Sequence, residues 1–163
     1  MSGIHQQVDF YLLNNSVEQG RLKLTTRLCQ KILKTGSSAL IYLDDMDDCH
    51  GLDDLLWSYQ ASSFIPHATT TKASTISAKK YPIMLHHGLH LVEDVMQFDV
   101  LINLTANADD SFLAFPRIVE IVDNDSDAKV LARKRYKFYQ SQSSLMQSDK
   151  SLNLTLKTHD IMI

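Results

Sequence analysis

Short apolar runs set between stretches of helical spacing constrain this chain more than any other feature. Residues 8–13, 39–43, 82–85, 100–104 and 117–122 are each a few residues long, rich in β-branched, aromatic or leucine side chains, and bounded by turn formers. Runs of that length read as buried strands rather than helices. Between the first two, Leu22, Leu24, Leu28, Ile32 and Leu33 recur at helical spacing over 17–35, with Ser16 as the expected N-cap and Gly36 as the residue that stops the helix. Leu52, Leu55, Leu56 and Tyr59 predict a second helix over 47–59. Residues 109–115 predict a short helical segment ended by Pro116, and 125–140 a long helix. Strands alternating with helices close into a parallel sheet with helices on both faces. The expected fold class is therefore α/β, Rossmann-like, with a mostly parallel central sheet.

One domain accounts for 163 residues. Its expected extent is 1–140, with 1–7 as an N-terminal extension and 141–163 as a C-terminal tail to which no element is assigned. The Thr-, Ser-, Ala- and Lys-rich stretch 68–80 predicts a mobile surface loop.

A Rossmann-like layout invites a nucleotide, and the glycines test the idea. Gly3, Gly20, Gly36, Gly51 and Gly88 are all isolated. Neither GxGxxG nor GxxxxGK[ST] is present, so no loop wraps backbone amides around a phosphate. The acidic run Asp44, Asp45, Asp47 and Asp48 follows the second strand. Carboxylates there either cap the next helix and complement its dipole or hold Mg²⁺ for a small phosphohydrolase or nuclease. His86, His87 and His90 do not form a zinc motif, because neighbours on a strand face opposite ways. Cys29 and Cys49 lack a CxxC partner and fit free thiols in a reducing cytoplasm. No cofactor is expected. No apolar run reaches membrane-spanning length, and Met1 to Gln7 is too polar for a signal peptide.

The long helix carries two faces. At about 100° per residue, Ala128, Leu131, Arg135, Phe138 and Tyr139 fall on one side, the expected core side. Lys129, Arg133, Tyr136, Lys137 and Gln140 cluster on the other, without an acid to neutralise them. In a chain of formal net charge −3, this is a local cationic face for an anionic partner.

Asp9–Leu13, Leu52-Asp-Asp-Leu-Leu-Trp57, Ser63-Phe-Ile-Pro-His67, Phe115–Asp123 and Leu131-Ala-Arg-Lys-Arg-Tyr-Lys137 together resemble the chi subunit family of bacterial DNA polymerase III over residues 8–140. The resemblance implies a non-catalytic, Rossmann-like accessory subunit with two binding faces. One face, matched here by Trp57, Phe64, Ile65 and Pro66, docks on the psi subunit of the clamp-loader assembly or on a repair helicase. The other, matched by Val122, Lys129, Arg133, Tyr136 and Lys137, takes the acidic C-terminal tail of single-stranded DNA-binding protein. Contact with DNA is expected to be indirect, and no membrane partner is implied.

Overall fold

The computed structural model describes residues 4–58, 65–71, 75–88, 91, 93–146 and 152–163. Seven strands form one sheet: β1 (Ile4–Leu13), β2 (Ala39–Leu43), β3 (His67–Thr69), β4 (Ile83–His87), β5 (Val100–Asn103), β6 (Arg117–Val122) and β7 (Leu152–Ile161). Their order across the sheet is β3-β4-β2-β5-β6-β1-β7, and every neighbouring pair is parallel. Helices α1 (Gly20–Lys34) and α2 (Met46–Ser58) cover one face. Helix α3 (Ser126–Met146) and two 3-10 turns, Glu93–Gln97 and Asp110–Ala114, cover the other. A parallel sheet must bury both faces, and the central strands β2 and β5 are accordingly buried throughout and apolar up to Asn103 at the end of β5.

Local chemistry sets most boundaries. Helix α1 ends in a Schellman arrangement: Gly36 takes φ 74°, its N–H bonds to the Leu33 carbonyl, and the Ser37 N–H bonds to that of Ile32. Its start lies later than Ser16. Residues 17–19 form a turn closed by Gly20 N–H to the Val17 carbonyl, with Gln19 left-handed at φ 55°. Asp109 caps the second 3-10 turn by accepting from Ser111 N–H at 2.8 Å.

Three expectations change. The tail left without an element contains β7, paired with β1 from Ile4↔Leu152 to Leu13↔Ile161. Strand β1 itself starts inside the expected N-terminal extension. The stretch 68–80 is not all surface loop: β3 pairs with β4, and Ile76 and Ala78 pack on the α3-side core. Those few apolar side chains were diluted by polar neighbours in the sequence.

Strand β7 is pinned by a buried acid. Asp9 on β1 is buried, with Arg117 Nε at 3.0 Å and His159 Nε2 at 2.9 Å. Burial alone raises its carboxyl, but hydrogen bonds from His159, Arg117 and Gln7 outweigh that and hold it below the usual aspartate value. His159 also stacks on Tyr11, with centroids 4.8 Å apart.

Candidate functional site

Helix α3 is fixed to the sheet by a polar cluster in the core. Glu120, fully buried in the middle of β6, accepts from Arg135 Nε at 2.8 Å, Asn103 Nδ2 at 2.9 Å and the Tyr139 hydroxyl at 2.8 Å. Arg135 is itself only 7% exposed. Burial pushes the Glu120 carboxyl up, and the Arg135 guanidinium opposes that shift. Both charges are thus paired and hydrogen-bonded, which burial of charge requires. Because the partners come from β5, β6 and α3, the cluster sets the rotation of α3.

That rotation differs from the one the spacing predicts. The core-facing side consists of Ala132, Arg135 and Tyr139, with Ala128, Tyr136 and Phe138 half-buried. Leu131, expected in the core, is 39% exposed. Tyr136, expected on the open face, leans inward and meets the Phe10 ring edge-on, with centroids 5.3 Å apart. The helix is turned by about half of one 100° step: Ala132 and Tyr136 move toward the sheet and Leu131 away from it, while Arg135 stays on the buried side in both arrangements.

A cavity of about 370 Å³ lies at the C-terminal ends of β1, β6 and β7, beneath the first half of α3. Phe10, Leu12, Val122, Ala132 and Tyr136 give it an apolar floor. Lys129 and Arg133, both exposed, form a cationic wall, while Asp123 on one side and Thr158 and Asp160 of β7 on the other complete the rim. Lys129 Nζ is 3.3 Å from the Asn124 side-chain oxygen. Of the five residues expected at this face, Val122, Lys129, Arg133 and Tyr136 converge here. Lys137 does not; it lines a neighbouring hollow with Gln140, Ser141, Ser143 and Leu156. Phe10, Ala132, Thr158 and Asp160 are additional lining residues. An acid amid the apolar run 118–122, and an arginine on the core side of the helix, were the sequence signals for the Glu120–Arg135 pair.

The second expected face is only partly a surface. Trp57 at the end of α2 is 60% exposed and meets His67 edge-on at 5.2 Å. His67 Nδ1 lies 2.7 Å from the Ile65 carbonyl, and its Nε2 lies 2.7 Å from Asp53 Oδ1. Ile65, expected to be exposed beside Trp57, is 1% exposed and belongs to the α1/α2-side core. Its side chain packs among the apolar residues of that core, so Ile65 supports the face from beneath. Pro66 is half-buried, and Phe64 lies outside the described residues.

The acidic run is engaged locally. Asp45 accepts from Asp48 N–H at 2.8 Å, as a cap of α2, and Asp44 accepts from Ala106 N–H at 3.1 Å. A larger cavity of about 540 Å³ lies beside it at the start of α1, where α/β proteins often hold phosphate. Its lining includes Glu18, Asp47, Asp48, Asp123 and Asp125, while Arg21 is paired with Asp123 at 3.1 Å. That charge repels a phosphate. His86 bonds through Nδ1 to the Thr70 hydroxyl at 2.9 Å, His87 alternates to the other face of β4, and His90 lies outside the described residues. Burial pushes the thiols of Cys29 and Cys49 up to about 12 and about 11, which keeps both protonated and poorly nucleophilic. Among the described residues, no helix is long and apolar enough to cross a membrane.

Comparison with known proteins identifies relatives for this architecture. The sequence pattern of the family described as DNA polymerase III chi subunit, HolC, matches residues 6–147. The DNA polymerase III subunit chi of Pseudomonas aeruginosa is 28% identical over 144 residues, covering 88% of this chain and 96% of that protein. The corresponding subunit of Escherichia coli is 30% identical over 134 residues, covering 80% of this chain and 88% of that protein. Among solved structures, the C-terminal domain of the DEAD-box protein Dbp5 superposes with a TM-score of 0.50 at 12% identity, covering 94% of this chain and 90% of that one. The C-terminal domain of a Sulfolobus solfataricus SWI2/SNF2 ATPase gives 0.50 at 8% identity, covering 76% of this chain and 57% of that one. Likeness at such identity establishes a shared α/β fold.

Proposed function

The chain is a member of the DNA polymerase III chi subunit family, and from that premise we propose that it is a non-catalytic accessory subunit, active in the cytoplasm, that links the clamp-loader complex to the acidic C-terminal tail of single-stranded DNA-binding protein during replication. The observation that carries this reading is the cavity under α3. A peptide end of the expected kind has an apolar last side chain, a terminal carboxylate and acidic residues before it. The floor of Phe10, Val122 and Tyr136 suits the side chain, and Lys129 and Arg133 stand beside it to meet the carboxylate. Charge-assisted hydrogen bonds of this type contribute roughly 1.5–3 kcal/mol each. Lys137, one step further round the helix, acts on the upstream acids at longer range. A contact this small corresponds to micromolar affinity, about −8 kcal/mol, which becomes useful when several tails act together.

Trp57 and Pro66 belong to the second docking face, for the psi subunit or a repair helicase, to which the family resemblance also assigns Phe64. An exposed tryptophan is the residue type that dominates interface energies. The acidic run serves as a helix cap in this reading and not as a metal centre.

Isothermal calorimetry with a synthetic acidic tail peptide tests the first face. Arg133→Ala should weaken binding at least tenfold, Lys137→Ala less, and added salt should weaken the wild-type complex because these charges are exposed. Equal affinity for wild type and Arg133→Ala would remove this site assignment.

A further inference from the structure

Helix α1 has a charge pattern that the proposed function leaves unused. It carries Arg21, Lys23, Arg27, Lys31 and Lys34 and no acid over its whole length, Gly20–Lys34. Arg21 is paired with Asp123. The other four follow i, i+4, i+8 and i+11, which places them in one row opposite the buried side formed by Leu24, Leu28, Cys29 and Ile32. At about 1.5 Å per residue the row from Lys23 to Lys34 runs about 16 Å. Among the described residues, none of the four has an ion-pair partner. Such a row is self-repulsive, and Glu at i−4 positions would have relieved it.

The row borders a cavity of about 180 Å³ between α1 and the β1–β7 edge. Arg27, Lys31, Tyr11 and Arg117 line it over an apolar base that includes Leu28 and Ile161, and no carboxylate is among its lining residues. Arg117 is partly neutralised by Asp9 and donates through Nη2 to the Tyr11 hydroxyl at 3.1 Å. Strand alternation places exposed Lys157 on the same side of β7 as His159 and Ile161. The cavity under α3, by contrast, includes Asp123 and Asp160 in its rim. The two cationic regions lie on opposite faces of the sheet.

We propose that this face of α1, together with Tyr11, Lys157 and His159, is a second binding surface, for the phosphodiester backbone of single-stranded nucleic acid. Two features favour that occupant over an acidic peptide. The cations form an extended row along a helix rather than closing around a pocket for a chain end. Beside them stands a stacked aromatic pair, Tyr11 and His159, and surfaces that track single strands combine a cationic path with aromatic rings. The proposal stands independently of the tail-binding reading, because it uses a different face, and it replaces the expectation that contact with DNA is only indirect.

Fluorescence anisotropy of the full-length chain with a labelled oligothymidylate of about 16 nucleotides tests it. Wild type should bind, and the logarithm of affinity should fall with that of salt with a slope of about −2 to −3, as about four neutralised phosphates require. Arg27→Glu/Lys31→Glu should weaken binding at least tenfold and leave tail-peptide affinity unchanged. Arg133→Glu should leave oligonucleotide binding within about twofold. If the charge reversal disturbs folding, Arg27→Gln/Lys31→Gln should still weaken binding at least threefold. Absence of wild-type binding, loss on Arg133→Glu instead, or displacement of the oligonucleotide by oligoglutamate at matched charge would each overturn the proposal. The last result would assign α1 to an acidic protein.

Discussion

The end of α2 and the face of α3 are both exposed and both suited to partners, yet they are held in different ways. Trp57 projects from a helix that packs through Cys49, Leu52 and Leu56, and its ring meets His67 edge-on. The cations of α3 stand on a helix whose rotation is set by the buried pair Glu120–Arg135. An aromatic anchor contributes through area, which tolerates small displacements. A charge-assisted hydrogen bond depends on distance and angle, so its helix needs a directional restraint from within. The comparison teaches that a buried ion pair can be read as a positioning device for a surface several ångströms away.

The largest effect that tests this contrast should come from Glu120→Gln. It leaves the Arg135 charge buried without a counter-charge, which costs about 3–5 kcal/mol, and it frees α3 to rotate. Thermal melting should show the loss, and tail-peptide affinity should fall although no contact residue has changed. Unaltered affinity in a folded variant would break the comparison.

Asp9→Asn probes the other wall of the same cavity, because Asp9 pins the strand that supplies Thr158 and Asp160. Loss of its charged hydrogen bonds should cost about 1–3 kcal/mol at neutral pH. Its carboxyl is held below the usual value. The stabilisation is therefore full above the ordinary aspartate range and is lost as pH falls through the folded-state value. Denaturant titrations across the acid range should show a steep decline for wild type and a flatter one for Asp9→Asn. Parallel curves would exclude Asp9 as the source.

The smallest stability effect belongs to Trp57→Ala. An exposed ring should change folding stability by within about 0.5 kcal/mol, while capture of the psi subunit or helicase should be lost in a pull-down. A melting temperature lowered as much as by Glu120→Gln would make Trp57 a structural residue and erase the contrast between the two faces.

The sequence alone determined the α/β class, the strands 39–43 and 117–122, the Gly36 stop and the cationic character of α3. Each follows from short-range patterns: a run of buried side chains, one positive-φ residue, or helical spacing with no neutralising acid. The family was also legible, since its strings occur in order along 8–140. Tertiary structure decided the rest. Strand β7 alternates Leu152, Leu154 and Leu156 with polar residues, but its pairing is supplied by β1, 148 residues away at Ile4↔Leu152, and local pattern does not encode a partner at that distance. Ile65 is held inside by packing in the α1/α2-side core, and Tyr136 is turned inward by its contact with Phe10. Spacing gives the angular order of side chains around a helix. Which of those angles faces inward was set by packing on the sheet, where Tyr136 meets Phe10 and Ala132 is buried.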